Sequence, residues 1–62
     1  PVNLNTATAA ELEVLPGIGP TLAGAIVAER EKRGRFESVE DLKQVRGIGE
    51  QRFADLKELV TV

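Results

Sequence analysis

The tripeptide Gly-Ile-Gly occurs twice in this chain of 62 residues, at positions 17–19 and again at 47–49. Each copy precedes a segment of helical character, and the first N–H groups of a helix have no partner within it. Such N–H groups, together with the positive end of the helix dipole, bind anions. Glycine keeps side chains out of the approach, so two such sites would hold two phosphates at a fixed spacing. This pattern is typical of contact with a nucleic-acid backbone.

Glycines at this spacing also occur in simple helix–helix turns, in dinucleotide-binding fingerprints and in Walker phosphate loops. A single Gly-x-Gly most often marks only a tight turn between helices, where glycine adopts backbone angles that a Cβ disfavours. A dinucleotide-binding fingerprint fits poorly, because Leu22 and Arg52 occupy its sixth position and a helix precedes the turn. A Walker phosphate loop is excluded, since the chain contains no Gly-Lys-Ser or Gly-Lys-Thr.

Both glycine turns belong to an internal repeat in which residues thirty positions apart correspond. The corresponding apolar positions are Leu12 and Leu42, Leu15 and Val45, Ile18 and Ile48, and Ile26 and Leu56. The helix starts correspond as well, because residues 8–11 and 38–41 both fit a capping box, with Asp41 a weaker fit than Glu11. Each repeat unit is therefore predicted to hold a cap, a short helix, a glycine turn and a second helix.

The repeat predicts an all-α fold with four main helices around one small core. We expect the first helices over residues 8–15 and 38–45, and the second helix of unit one from Pro20 to just before Gly34. The last helix is predicted to continue through Val60. One arc of this helix would hold Phe53, Leu56, Lys57 and Val60, with Leu59 adding to it, matching Ala23, Ile26, Val27 and Arg30 of unit one. Lys57 itself is expected to be a solvated charge.

The chain is expected to form a single domain, 1–62, with four successive parts. These are a lead-in at 1–7, a first hairpin unit at 8–33, a connector at 34–37 and a second hairpin unit at 38–62. Phe36 would fill the joint between the two units. Because the chain opens with Pro-Val-Asn and contains no Met, we expect it to be a piece of a longer protein.

Composition excludes several classes of function. The chain has no Cys and no His, so thiol and imidazole nucleophiles and the usual zinc ligands are missing. No carboxylate pair or nucleophile–base arrangement suggests an enzyme, and no apolar run approaches the length of a membrane span. Eight basic against ten acidic residues give a net charge of −2, which argues against binding a polyanion through bulk positive charge. Binding of nucleic acid would therefore depend on local geometry.

The segments 15–23 and 45–53 resemble the helix-hairpin-helix motif, and the whole chain resembles the ComEA-type DNA-binding domain of competence DNA receptors. This resemblance implies a tandem helix-hairpin-helix fold of two pseudo-two-fold-related hairpins. It also implies binding of double-stranded DNA across the minor groove, through phosphates and without sequence preference. The full-length protein would be a membrane-anchored, extracytoplasmic receptor in the periplasm or at the cell surface, where other competence proteins are partners.

The resemblance also implies which residues contact DNA. They are Gly17, Gly19, Thr21, Gly47, Gly49, Gln51 and Arg52, with Arg46 and Lys43 close by. We expect the second hairpin to contribute more to affinity, because relatives often carry Lys where this chain has Leu22. Glu50 would be unfavourable beside a phosphate. No cofactor is expected, although the resemblance leaves room for a monovalent cation on the carbonyls of the turns.

Other polar residues have structural explanations. The basic run at 30–35 lies at the far end of a helix, roughly 20 Å from the first glycine turn, and is expected to be a solvated helix end, with a second DNA or partner contact as the alternative. Arg30 is expected to pack its stem and bind a carboxylate or carbonyl. Asn3 and Asn5 would tie the lead-in to the body. Gly24 would permit the close approach of another helix.

Two further functions stay open at this point. The net negative charge, and the uncharged Leu22 where relatives often carry Lys, favour a protein-interaction module to some degree. A DNA-binding appendage of a repair or recombination enzyme, which would be cytoplasmic, is the other.

Overall fold

The computed structural model describes all 62 residues and contains four helices and one pair of strands. In chain order the elements are β1 (Val2–Asn3), α1 (Ala9–Leu12), α2 (Pro20–Arg33), a 3₁₀ helix (Val39–Gln44), α3 (Glu50–Leu56) and β2 (Val60–Thr61). The four predicted helices and the helical fold class are confirmed. The strand pair was not predicted. None of the helices combines the length and the apolar character needed to cross a membrane.

Helix α2 has the predicted bounds. It begins at Pro20, whose fixed φ suits the first helical position, and ends at Arg33. Gly34 follows at φ +88°, a left-handed conformation in which glycine is favoured over residues with a Cβ.

The first helix of each unit is shorter than predicted. Helix α1 starts at the predicted capping box, in which Thr8 N–H donates to the Glu11 carboxylate at 2.8 Å and Glu11 N–H donates to the Thr8 hydroxyl at 3.1 Å. It ends at Leu12 rather than at residue 15. The N–H groups of Val14 and Leu15 donate only three residues back, to the carbonyls of Glu11 and Leu12, in the tighter pattern common at helix ends. The segment predicted at 38–45 forms a 3₁₀ helix, the tighter form common in short connectors.

The last helix is shorter than predicted, and the prediction that Leu59 packs on its apolar face was wrong. Helix α3 ends at Leu56, and Leu59 is 43% exposed rather than packed on the buried face. Val60 instead enters β2, which pairs in parallel with β1 in the register Val2 with Val60. The β-branched residues after Leu59 suit a strand, and the lead-in supplies a partner for them: Val2 N–H donates to the carbonyl of Leu59 at 2.8 Å.

One core joins the two repeat units. Fourteen apolar residues are buried in a single cluster, and no polar or charged residue is buried. The cluster consists of Leu4, Ala7, Leu12, Leu15, Ile18, Ala23, Ile26, Phe36, Leu42, Val45, Ile48, Phe53, Leu56 and Val60. The predicted burial of Phe36 between the units is thereby confirmed, and Ile18 and Ile48, each between the glycines of its turn, are buried as well. Each unit leaves one apolar face uncovered by itself, and the two units cover each other.

Three polar side chains tie the lead-in to this core. Arg30 donates through Nη1 to the carbonyls of Leu4 at 3.0 Å and Ala7 at 2.8 Å, as expected of an arginine with a packed stem. Asn3 and Asn5 both bond to distant main chain, which confirms their structural role. The explanation of Gly24 was wrong, because a Cβ at that position would meet no atom within 4 Å.

Candidate nucleic-acid interface

The two glycine turns, at 17–19 and 47–49, lie side by side. Nη1 of Arg52, in the first turn of α3, donates to the carbonyl of Gly17 at 3.1 Å. In the reciprocal position, Cδ2 of Leu22, in the first turn of α2, packs over Gly47. Leu22 and Arg52 correspond in the thirty-residue repeat, as do Gly17 and Gly47. The two helix starts are therefore related by an approximate two-fold and neighbour each other on one surface.

The first glycine of each turn is required by the fold. Gly17 has φ +75° and Gly47 has φ +96°, conformations that a side chain strains. A Cβ on Gly17 would lie 2.7 Å from Nη1 of Arg52, and a Cβ on Gly47 would lie 2.7 Å from Cδ2 of Leu22. These two positions therefore allow the turns to form and to approach each other.

The second glycine of each turn is not required by the fold. Gly19 and Gly49 have φ of −98° and −99°, which any residue adopts, and a Cβ on either would meet nothing within 4 Å. Both act as N-caps, a position where Ser, Asp or Asn is at least as favourable and brings a capping oxygen. Glycine in both copies leaves the space in front of each helix empty of side chains.

Main-chain N–H groups face this open space without an acceptor. Helices α2 and α3 carry no side-chain cap, and the first intrahelical bonds are those of Ala23 N–H to Gly19 and Phe53 N–H to Gly49, both 2.9 Å. At the two helix starts, the N–H groups that donate to no atom of the chain include those of Gly19, Thr21, Leu22, Gly49, Glu50, Gln51 and Arg52. Two sets of donors are thus available to an external anion.

A polar groove of about 340 Å³ borders the second glycine turn. Gly47, Gly49, Gln51, Arg52 and Asp55 line it, and none of them is hydrophobic. Four of these five were predicted as site residues. Asp55 was missed, because it lies one helical turn beyond the motif, and its carboxylate places a negative charge at the edge of the groove.

The two basic residues predicted beside the second glycine turn, Lys43 and Arg46, differ in their contacts. Nζ of Lys43 lies 3.8 Å from Oε2 of Glu50 and 5.1 Å from the centre of the Phe53 ring. Lys43 thus partly neutralises the acidic residue that begins α3. Arg46, directly before the second glycine turn, is exposed and forms no ion pair.

Part of the basic run at 30–35 forms ion pairs within the chain. Arg33 pairs with Asp41 at 3.4 Å and with Glu29 at 3.8 Å, and it stacks over the Phe36 ring at 5.7 Å. Asp41 also accepts hydrogen bonds from the N–H groups of Glu37 at 2.8 Å and Ser38 at 3.3 Å. The hydrogen bond from Glu37 above all, then that from Ser38 and the charge of Arg33, lowers the pKa of Asp41.

The structure thus brings the predicted glycines together with Thr21, Gln51 and Arg52 and keeps Lys43 and Arg46 nearby. Sequence reasoning assigned Arg52 to the second glycine turn and missed its bond to the first. The repeat relates Gly17 to Gly47 and Leu22 to Arg52, but it does not show which turn either side chain contacts.

Comparison with known proteins gives one family match over nearly the whole chain. The family model of the helix-hairpin-helix motif matches residues 1–61. ComE operon protein 1 of Bacillus subtilis strain 168 is 51% identical over 61 residues, which cover 98% of this chain and 30% of that protein.

Two further relatives are similar over shorter stretches. Endonuclease/exonuclease/phosphatase family domain-containing protein 1 of Homo sapiens is 45% identical over 56 residues, covering 90% of this chain and 10% of that protein. An uncharacterized protein of Haemophilus influenzae is 53% identical over 49 residues, covering 77% of this chain and 44% of its own length. The chain spans less than half the length of each of these relatives.

Proposed function

We propose that this chain, which belongs to the helix-hairpin-helix motif family and is a domain of the ComEA type, binds double-stranded DNA through backbone phosphates. The binding is independent of base sequence. Membership identifies a DNA-binding, non-enzymatic module. The larger relatives with an endonuclease/exonuclease/phosphatase domain match only over this small module.

The observation that carries the proposal concerns the two second glycines. Neither Gly19 nor Gly49 is needed for backbone angles or for packing, yet both stand in front of unpaired helix N–H groups. Two such openings lie next to each other, linked by the contact between Arg52 and Gly17. Adjacent open donor sites suit a ligand that presents two phosphates at a defined separation.

In this proposal each opening receives one phosphate of the DNA backbone. Oxygens of the phosphate accept from the free N–H groups, and the side chains of Thr21 and Gln51 donate beside them. Arg46, Lys43 and Arg52 add positive charge, and Gly17 and Gly47 shape the turns. Phosphate contacts fix position and carry no sequence information, so binding is indifferent to base sequence.

The charge distribution supports local rather than bulk attraction. The chain carries a net charge of −2, so long-range attraction to DNA is weak. Short-range contacts at the two openings must supply the affinity. The second glycine turn is expected to contribute more, because Lys43 and Arg46 lie beside it.

Equilibrium titration of unrelated duplexes at several salt concentrations tests the proposal. About four to six phosphate contacts predict a slope of log affinity against log salt of roughly −4 to −5. Affinities should agree among the sequences at each salt concentration. A strong sequence preference or indifference to salt would contradict the proposal. No association even at low salt would favour a protein-interaction module instead.

We further propose that the domain acts as the DNA receptor domain of a natural-transformation uptake system, in an extracytoplasmic protein. The 51% identity to ComE operon protein 1 supports this role. The alternative is a DNA-binding appendage of a repair or recombination enzyme, supported by the 45% identity to a protein with a nuclease-type family name. Fractionation of the full-length protein and the transformation frequency of a deletion strain distinguish the two. A cytoplasmic protein whose loss leaves transformation unchanged would contradict the uptake role.

A further inference from the structure

The first glycine turn has no charge of its own. Residues 15–23 are Leu, Pro, Gly, Ile, Gly, Pro, Thr, Leu and Ala, so no side chain of this segment attracts a phosphate electrostatically. The equivalent segment 45–53 contains Arg46, Glu50 and Arg52. If each turn used only its own residues, the first would bind a phosphate through neutral donors alone.

The guanidinium of Arg52 reaches the first turn from the other unit. Its Nη1 lies 3.1 Å from the carbonyl oxygen of Gly17, and its Cζ lies 3.9 Å from the position that a Cβ on Gly17 would take. Arg52 borders the groove of the second turn, but the charged end of its side chain crosses to the first.

The pseudo-symmetric contact shows what this arginine adds. Leu22 occupies the equivalent position and packs over Gly47 without any hydrogen bond to it. Close packing of the two turns is therefore achieved by an apolar side chain at one of the two contacts. Arginine at the other contact supplies two things that packing does not require, a bond to a turn carbonyl and a positive charge.

From these contacts we infer that Arg52 is a positioning residue for the first glycine turn. It fixes the Gly17 peptide, two residues before the open position at Gly19, and it provides the positive charge that segment 15–23 lacks. This inference rests on the proposed function, because it assigns a role within the same DNA-binding surface. It changes the assignment of Arg52 from its own turn to that of the other unit.

Double-mutant cycles in duplex binding test the inference. Arg52→Leu should weaken binding roughly tenfold, since it removes a charge-assisted hydrogen bond and one positive charge. With the first opening blocked by Gly19→Val, the effect of Arg52→Leu should shrink to less than about twofold. With the second opening blocked by Gly49→Val, the effect should stay roughly tenfold.

Arg46→Leu is the matched control, because it removes the same charge from an exposed arginine without a bond to the first turn. Its effect should depend on Gly49→Val and not on Gly19→Val. Denaturant unfolding of every variant separates binding from folding. If Arg52→Leu folds poorly, Arg52→Gln replaces it, since glutamine keeps a donor while removing the charge.

Three outcomes have distinct meanings. Coupling of Arg52→Leu to Gly19→Val alone supports the inference. Coupling to Gly49→Val alone, or equal effects in both backgrounds, overturns it and leaves the proposed function intact. Absence of duplex binding by the unmodified chain at low salt overturns the proposed function and this inference together.

Discussion

Asn5 and Phe36 are joined by two hydrogen bonds that run in opposite directions. The N–H of Phe36 donates to Oδ1 of Asn5 at 2.7 Å, and Nδ2 of Asn5 donates to the carbonyl of Phe36 at 3.0 Å. One side-chain amide thus satisfies both main-chain groups of a residue whose ring is fully buried. The lead-in is thereby attached to the connector between the two repeat units.

Asn5→Asp is predicted to lower the free energy of unfolding by about 1–3 kcal/mol. The substitution replaces the Nδ2 donor with an oxygen that faces a carbonyl, and an unsatisfied part-buried polar group has a cost of this size. Urea unfolding measures the change. Thr6→Ala, at an exposed neighbouring residue, should change the free energy of unfolding by less than about 0.5 kcal/mol. Equal stability of Asn5→Asp and the unmodified chain would contradict the prediction.

Arg30→Leu is predicted to lower the free energy of unfolding by about 2–3 kcal/mol while leaving duplex affinity nearly unchanged. The carbonyls of Leu4 and Ala7 would both lose a charged donor. The site lies roughly 15 Å along α2 from the helix start, too far for direct contact with a phosphate bound there. Denaturant unfolding and duplex titration provide the two measurements. Loss of affinity in fully folded protein would show that Arg30 belongs to the interface.

Asp41→Asn is predicted to make stability less sensitive to acid. The pKa of Asp41 is lowered in the folded state, chiefly by the hydrogen bond from Glu37 N–H, so its ionised form stabilises the fold. That contribution is complete above the ordinary pKa of an aspartate, about 3.9, and is lost as pH falls through the lower folded value. Melting temperatures from about pH 7 down to about pH 2 should therefore fall less steeply for Asp41→Asn.

Glu40→Gln is the control for the acid series, because Glu40 is exposed and accepts no hydrogen bond from the chain. Its acid dependence should match that of the unmodified chain. If Asp41→Asn and the unmodified chain lost stability in parallel below about pH 4, Asp41 would not be the titrating group.

Gly47→Ala and Gly49→Ala are predicted to separate folding from binding. Gly47 has φ +96° and faces Leu22, so alanine there should cost about 1–2 kcal/mol of unfolding free energy. Gly49 has φ −99° and an empty surrounding, so alanine there should cost only the difference between glycine and alanine at an N-cap, less than about 1 kcal/mol. Thermal and denaturant unfolding compare the two. Similar losses at both positions would refute the division of roles between the first and second glycines.

Local signals in the sequence predicted the features that depend on a few neighbouring residues. Pro20 and Gly34 defined α2 because each has a strong backbone preference at a helix end. The capping box at Thr8 and Glu11 set the start of α1 in the same way. The thirty-residue repeat paired Ile18 with Ile48, and both are buried.

Long-range pairing decided the features that the sequence did not predict. Helical periodicity continued through Val60, but the lead-in offered a strand partner at Val2 and the chain left the helix at Leu56. Likewise the bond from Arg52 to Gly17 joins two units that local patterns describe separately. Gly24 was overinterpreted, because an exposed helical glycine needs no neighbour.

In the proposed complex, phosphates reach bare main-chain amides at two neighbouring helix starts. Duplex affinity of the Gly19→Val, Gly49→Val double variant tests this contact, because both glycines have φ values that any residue adopts and a Cβ on either would meet no atom within 4 Å. Arg35→Ala, which removes a positive charge two residues beyond the far end of α2, is the control. The expected loss is roughly a hundredfold or more for the folded double variant, with little change for Arg35→Ala. Valine is a poorer N-cap than glycine, so affinities are compared under conditions in which denaturant unfolding shows the variant to be folded. Full affinity in the double variant, or a larger loss in Arg35→Ala, would contradict the proposed contact.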